Sequence, residues 1–549
     1  MEKFLTSAAV WQDFDPQAEP LETNVLKTEE VDGLICETVY FTGRTVQDGK
    51  TRVLGKVCYK STKSVKPAVL LIDSYKRPID EEELKYWAQN GFVAMAIDYA
   101  GRCTNGLCTL YPTSLDHCNG DVAQGYFQVG ENAKQSKIYD YALNSMRAIT
   151  YLIKEKKVKS VSVVTVKKGT SVGAIVLGTD KRIKNGAVVF GSLHREYPPY
   201  VGDADDQALE LADDELTKRL QYEEQRQMWT AAIAPQSYAM QTTVPVYIVC
   251  SAVSPYVDAL STDKMYDRLN DDSRMLLLPD VLDYLPDNYT QSIVKWLKGA
   301  TVQEQVTLSH FVDEQGNQCI KVLAPVESNN VELWYCRNPK DRARNWVQAP
   351  LKKTEYGFVG QLDVYSQNCK LVAFALVHGD VDITTELCEV DVVGAKRIKT
   401  PVRSVYSGSN KDHMIPVCKR NLSWHGDKDK VTYCKGYLDI EGAKGVGLAT
   451  FALNDPCVQG VDTFMVSFDV CCKVVQTLRV YATCDFAGTN ETYVQRVQLM
   501  GDGKWQRVTM EYSNFHAVTD SRQMTDDEHV QVLYFIADEE FIINNVFLV

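Results

Sequence analysis

One short motif constrains the fold of this chain more than any other feature. The G-x-S-x-G sequence Gly169-Thr170-Ser171-Val172-Gly173 closely follows the β-branched run at 161–166 and leads into an apolar stretch at 174–177. In this motif, a sharp glycine turn joins a strand to a helix and carries a serine. The turn places that serine above the edge of the sheet. Glycine is needed because a β-carbon in so tight a turn would collide with its neighbours. The motif therefore predicts an α/β sheet, with Ser171 as the candidate nucleophile.

The residues around the motif alternate between strand and helix patterns. Continuous apolar runs, which are typical of strands covered on both faces, occur at 68–72, 92–97, 186–190, 244–250 and 275–279. Asp80 and Ser136 can each cap a helix that has an apolar face. We therefore expect a doubly wound α/β sheet over residues 37–300, preceded by an N-terminal extension over 1–36.

The helical periodicity ends near residue 301. Short strand patterns follow at 318–323, 331–336 and 370–376, with a spacing typical of β-sandwiches. After a basic linker that contains Pro401, strand patterns resume, including 463–470 and 477–482. The remaining chain therefore predicts two all-β sandwich domains, at 301–395 and 396–549.

Composition excludes several classes of partner. The 549 residues carry a formal net charge of −13, whereas phosphate binding needs a cationic surface. No run of 18 apolar residues is present, so we expect neither nucleic acid nor a membrane as a partner.

The cysteines and the N-terminus predict a compartment. The first residues have an acidic head and no sustained apolar core, which is a poor secretion signal. Sixteen cysteines without such a signal predict a cytoplasmic protein with mostly buried, reduced thiols. If the chain were exported, we would expect disulfides among the six cysteines between 418 and 484.

Three stretches resemble known protein families. Residues 90–102 (NGFVAMAIDYAGR) and the later Tyr111-Pro112 resemble the acetyl-esterase and dipeptidyl-peptidase-like branch of the α/β-hydrolases, with its G-[YF]-x-V-x-x-x-D-[YF]-R-G-R-G strand and turn. Residues 338–346 resemble an Ig-like sandwich appended to some bacterial hydrolases. Residues 505–510 and 541–547 resemble late strands of a jelly-roll carbohydrate-binding module. The resemblance implies an α/β-hydrolase domain, then an Ig-like sandwich, then a jelly roll.

The catalytic residues that this resemblance implies are largely missing. In such hydrolases an acid and a histidine follow the serine in chain order. No histidine lies between His194 and His310. Ser254 stands where a relative would carry the acid, and Leu282 or Asp283 where it would carry the histidine.

The loop after the first buried strand also departs from the family. Asp73-Ser74-Tyr75 replaces the His-Gly that helps to form the oxyanion hole, and a carboxylate beside a developing oxyanion raises its energy. The backbone N–H groups of Tyr75 and Val172 remain candidate oxyanion donors.

Other residues could still supply chemistry. His194 is the better candidate base and His310 the weaker one, while Asp258 and Asp283 are candidate acids near Ser171.

Two further patterns concern metals and sugars. The series Cys103-x4-Cys108-x8-His117-Cys118 offers four zinc-type ligands at spacings that match no common zinc motif, so reduced core thiols explain it better, and we expect neither metal nor cofactor. Trp424 and Trp505 are candidate sugar-stacking residues in the last domain, with core packing as the alternative.

Two hypotheses follow. In the first, the chain is a catalytically degenerate α/β-hydrolase that acts in binding or assembly, with self-association through its β domains or a carbohydrate or acylated small molecule as its partner. In the second, it is a divergent serine ester hydrolase, resembling acetyl esterases, that uses Ser171. A second base near Ser171 would separate them.

Overall fold

The computed structural model describes most of the chain. Its described residues are 4–61, 64–74, 77–102, 106–120, 125–197, 215–254, 257–302, 306–324, 330–408, 414–417, 424–426, 430–459, 465–486, 488, 491–525 and 528–549. These residues belong to two compact units. The first comprises Met1–Val249, Ser261–Arg274 and Leu297–Gly299, and the second comprises Cys250–Leu260, Met275–Trp296 and Ala300–Val549.

A nine-stranded sheet dominates the first part of the chain. Its strands are β1 (Asn24–Val31), β2 (Leu34–Val46), β3 (Gly49–Lys60), β4 (Ala68–Ile72), β5 (Val93–Ile97), β6 (Val161–Val166), β7 (Ile183–Val189), β8 (Val246–Ser251) and β9 (Arg274–Leu278). Their spatial order is β1-β2-β3-β5-β4-β6-β7-β8-β9. The first three strands pair antiparallel, whereas β5, β4, β6, β7 and β8 pair in parallel.

Seven helices accompany this sheet in the described chain. They are α1 (Glu81–Gln89), α2 (Lys137–Lys154), α3 (Thr170–Thr179), α4 (Glu215–Ala232), α5 (Gln236–Ala239), α6 (Ala259–Tyr266) and α7 (Asp287–Lys298). The Asp80 side chain accepts from the first turn of α1, and Ser136 accepts from the Ile138 N–H at the start of α2. The wound α/β fold predicted for this region is confirmed, because its buried apolar strands and capped helices form as their patterns indicate.

The sheet begins earlier than the sequence predicted. Strand β1 and the start of β2 lie inside the segment 1–36, which was expected to be an extension. The preceding residues are held by the buried guanidinium of Arg147, which donates to the carbonyl oxygens of Pro16, Glu19 and Pro20 at 2.7, 2.9 and 3.0 Å. A buried cation needs such acceptors, and the segment supplies them. Sequence periodicity carried no sign of this long-range contact.

In the part of the second unit that the structure describes, three antiparallel sheets are present. The strands of the first two sheets are β10 (Thr307–Val312), β11 (Gln318–Leu323), β12 (Val331–Cys336), β13 (Trp346–Ala349), β14 (Leu351–Thr354), β15 (Gly357–Leu362), β16 (Lys370–Val377), β17 (Ile383–Thr384) and β18 (Cys388–Asp391). One sheet has the order β10-β11-β15-β14, and the other has the order β13-β12-β16-β17, with β18 also paired to β16. These strands occupy the region in which an Ig-like sandwich was predicted.

The last sheet covers the remainder of the chain. Its strands are β19 (Ser404–Tyr406), β20 (Ile415–Pro416), β21 (Thr432–Lys435), β22 (Glu441–Thr450), β23 (Met465–Cys471), β24 (Gln476–Cys484), β25 (Glu491–Leu499), β26 (Trp505–Glu511), β27 (His516–Ala517) and β28 (Val530–Leu548). Strand β28 runs through the middle and pairs with β19, β22, β23 and β24. Its inward side chains, among them Phe535 and Ile543, are buried in an apolar core.

The cysteines differ in part from the expectation of reduced thiols. Cys36 and Cys58 lie directly opposite each other on β2 and β3, with Cα atoms 4.3 Å apart, and form a disulfide. Twelve other described cysteines are free thiols, of which seven are buried. Strand register, which the sequence alone does not reveal, placed the bonded pair together.

Within the described residues, none of the helices has both the length and the apolarity that a membrane crossing requires.

Candidate functional site

The turn after β6 is centred on a lysine. Strand β6 ends at Val166, and Lys167 follows with a left-handed φ of 48°. One 3₁₀ turn then spans Lys167–Gly169, and α3 begins at Thr170. Ser171 therefore lies in the first turn of α3, four residues beyond the left-handed position, and not at the turn where the motif had placed it.

The end of the β-branched run at Val166 is the sequence feature that indicates the position of this turn. Because the strand stops at Val166, the sharp turn must follow at once, and three residues separate the strand from Thr170. The two glycines of the motif instead serve packing at the start of the helix. A β-carbon on Gly169 would lie 2.2 Å from the Ile72 carbonyl oxygen, and one on Gly173 would lie 2.0 Å from Cγ2 of Thr165.

The loop after β4 and the turn after β6 carry opposite charges, on Asp73 and Lys167. Burial raises the pKa of Asp73, in the loop after β4, and the Ser74 N–H, which donates to its carboxylate at 2.6 Å, opposes this rise. The positive charges of Arg77 and Lys167 also lower that pKa. A carboxylate at this place disfavours a developing oxyanion. Tyr75, the predicted oxyanion donor, lies outside the described residues.

Ser171 is buried, with 4% of its surface exposed, and it adjoins an aromatic cluster. Burial raises the pKa of Tyr126, against the opposing effects of Arg195 and of the Ser171 hydroxyl. The Arg195 guanidinium lies 4.4 Å from the Tyr126 ring centroid and 5.3 Å from that of Phe127. A phenol that stays protonated is a poor general base for a serine. Val172, the other predicted oxyanion donor, is fully buried in α3.

His194 and His310 occupy separate settings. The half-buried His194 follows β7. Its backbone N–H donates to Oγ of Ser192 at 3.1 Å, and the Ser192 hydroxyl donates to the His194 carbonyl oxygen. His310 is exposed on β10 of the second unit. Across the described chain, no histidine ring forms a hydrogen bond with Ser171.

The predicted acids belong to the second unit. One oxygen of Asp258 accepts from Nη1 of Arg344 at 2.7 Å, and the other lies 3.7 Å from Nη1 of Arg342. Arg344 is 4% exposed, so this ion pair is a packing contact between the loop before α6 and the loop before β13. Asp283 is half-buried in the loop after β9, and Ser254 accepts from the Val257 N–H at 3.2 Å.

One trio of potential metal ligands is brought together by the fold. Ligand atoms of His117, Cys118 and Asp140 lie within 4.8 Å of one another. However, Nη1 of Arg44 is 3.0 Å from the Asp140 carboxylate and already neutralises it. A guanidinium at this place opposes a second cation, so the trio does not fit a metal site. Cys108 lies outside this trio, and Cys103 lies outside the described residues.

The two candidate sugar-stacking tryptophans differ in exposure. Trp424 is buried, with 3% of its surface exposed, and therefore has no open ring face. Trp505 is half-buried on β26 and donates from Nε1 to the Tyr437 carbonyl at 2.8 Å. Only Trp505 keeps ring surface that a sugar could contact.

Comparisons with known proteins reach about half of the chain. No protein-family model matches it, and a comparison with curated proteins finds no match. Similar solved structures include an acetyl xylan esterase from Paenibacillus sp. R4, with a TM-score of 0.39, 16% identity, and 52% of this chain and 91% of that chain covered. Another is acetyl xylan esterase 1 from Thermoanaerobacterium sp. JW/SL YS485, with a TM-score of 0.39, 15% identity, and 51% and 88% covered. Likeness at this level says nothing about activity or substrate.

Proposed function

We propose that this protein is a catalytically inactive α/β-hydrolase-fold protein that acts by binding or assembly. The observation that carries the proposal is Lys167 at the left-handed residue after β6, in the turn that packs against the half-buried Asp73. The turn that would present a nucleophile carries an ammonium group, and the loop that would stabilise an oxyanion carries a carboxylate. The carboxylate disfavours a developing oxyanion, and a protonated ammonium group has no lone pair with which to attack an acyl carbon.

The remaining serine lacks what a nucleophile needs. A serine hydroxyl is weak until a neighbouring base takes its proton. Ser171 has the phenol of Tyr126 beside it, and its side chain is buried. Loss of the working members of a catalytic triad lowers turnover by a factor on the order of a million. We therefore expect no catalytic turnover through Ser171.

Covalent labelling tests this proposal directly. The purified full chain is incubated with a fluorophosphonate probe, beside its Ser171→Ala variant and an active serine esterase as positive control. We expect labelling of the esterase alone. Stoichiometric labelling of the wild type that is lost in Ser171→Ala would instead establish the alternative, a divergent serine ester hydrolase.

The assembly part of the proposal concerns an edge strand. Strand β10 ends the four-stranded sheet, and five of its six residues are exposed. Phe311 and Val312 on this strand are 41% and 37% exposed. An open edge with apolar side chains is suited to pairing with another strand. We propose a second copy of this chain as the partner of β10.

A further inference from the structure

A large groove lies within the second unit, and its volume of about 1120 Å³ exceeds that of most small-molecule pockets, which are about 300–1,000 Å³. Strands β12 and β13 form one side, and the segment that enters β19 contributes to the other. Its walls carry both polar and apolar side chains. The size suits a ligand longer than one small ring.

The charges along this groove compensate one another. It contains Glu332, Arg337, Asp363 and Lys399, which sum to zero. Each of them already has an oppositely charged partner. Nε2 of His378 lies 3.4 Å from Glu332, Nε of Arg337 lies 2.9 Å from Asp455, and Nζ of Lys399 lies 2.9 Å from Asp363. A charged ligand would have to compete with these pairs, so the groove favours an uncharged one.

Neutral hydrogen-bonding groups also line the groove. Gln348 is exposed on β13, and Tyr365 is half-buried. The Ser404 hydroxyl oxygen is buried and has no hydrogen-bond partner within the described part of the chain. Val347 and Val402 add apolar surface beside these groups. A groove lined by both hydrogen-bonding and apolar side chains matches a molecule that has both hydroxyl groups and C–H faces.

We propose that this groove binds an uncharged oligosaccharide. An extended peptide would add as a strand to an exposed sheet edge, which here is β13. That edge is only four residues long, and Pro350 follows it immediately. Short edges ended by proline are poor templates for strand addition. The site is independent of Ser171, so it stands whether or not that serine is reactive.

Affinity electrophoresis of the full chain tests the proposal. The native gels contain arabinoxylan, mixed-linkage β-glucan, glucomannan or galactan, with polygalacturonate as the charged comparison. We expect at least one neutral polysaccharide to retard the wild type and polygalacturonate not to. Gln348→Ala and Tyr365→Ala should each weaken that binding up to about tenfold, as measured by calorimetry, because each removes a hydrogen-bonding group.

Two matched variants complete the design. Tyr356→Ala removes a tyrosine that is 65% exposed in the same region but does not line the groove, and it should leave binding unchanged. Trp505→Ala should also leave it unchanged. Because Gln348 is exposed, its variant tests binding even if Tyr365→Ala fails to fold. Retardation by none of the neutral polysaccharides, binding left unchanged by Gln348→Ala, or binding lost in Trp505→Ala alone would each overturn the proposal.

Discussion

Gly169 faces the backbone of Asp73 so closely that a β-carbon at position 169 would lie 2.6 Å from the Asp73 carbonyl oxygen. The turn after β6 and the loop after β4 are thus packed backbone against backbone. Glycine at 169 keeps the ammonium-bearing turn and the carboxylate-bearing loop together. The contact links the two positions on which the proposed loss of catalysis depends.

Gly169→Ala is therefore expected to destabilise the protein by about 3 kcal/mol, because the colliding atoms are backbone carbonyls that cannot rotate away. Urea denaturation of the full chain measures the change. Gly33→Ala is the matched control, because Gly33 has a φ of 72° and open space around it. It should cost only the left-handed penalty of about 1–2 kcal/mol. Equal losses in the two variants would contradict the close approach.

Ser171→Ala is expected to hydrolyse p-nitrophenyl acetate at the wild-type rate, because no base activates the hydroxyl. Stopped-flow absorbance at 400 nm, roughly the nitrophenolate maximum, would detect a burst of product from an acylated serine. The variant should remain folded, since the change removes only a hydroxyl group. A burst present in the wild type and absent from the variant would reverse the proposed function.

The buried pair of Arg337 and Asp455 predicts a strongly non-additive mutant cycle. Their side chains are 7% and 0% exposed, and Nε lies 2.9 Å from Oδ1. Removing either partner leaves a buried charge alone, so Arg337→Met and Asp455→Ala should each cost about 3–5 kcal/mol. The double variant should cost much less than the sum. Guanidinium denaturation of all four proteins gives the coupling energy.

An exposed ion pair provides the comparison for that cycle. Lys295 and Asp380 are 3.4 Å apart, with side chains that are 47% and 77% exposed. Asp380→Ala should cost about 0–1 kcal/mol. Additive losses in the Arg337 and Asp455 cycle would show that the two charges are not coupled.

His378 predicts a pH-dependent stability. Nδ1 lies 3.3 Å from Asp382 and Nε2 lies 3.4 Å from Glu332, and these carboxylates raise the pKa of His378 from 6.5 to about 9. Since the folded pKa exceeds the unfolded one, the stabilisation is complete below pH 6.5 and is lost as the pH rises through about 9. His378→Gln should cost about 1–2 kcal/mol at pH 6 and much less at pH 10. His310→Gln, at an exposed position, should show no such trend.

Phe311→Lys is expected to weaken self-association. A stable interface through β10 should bury roughly 1,000 Å² or more, and a charge in its centre would be desolvated. Light scattering of the full chain at micromolar concentration should show a dimer or larger species for the wild type and monomer for the variant. Tyr356→Lys, which changes an exposed residue on another strand connection, serves as control. A monomeric wild type would rule out the assembly.

The sequence by itself determined the class of the fold. Apolar runs such as 68–72 and 161–166 can satisfy their backbone groups and bury both faces only as inner strands of a wound sheet. The helix caps at Asp80 and Ser136 act over three residues, so the helix starts can be predicted from the local sequence. The missing histidine between 195 and 309 is likewise a property of the chain alone.

Tertiary structure decided which residue occupies the turn and which residues meet. The G-x-S-x-G pattern is compatible with either a turn or a helix start, and the end of β6 at Val166 selected the helix start for Ser171. The close approach of Gly169 to Asp73 and the pairing of Arg337 with Asp455 join residues on the order of 100 positions apart in the chain. Such contacts depend on how strands are ordered and packed in space, and no local pattern of residues encodes that order.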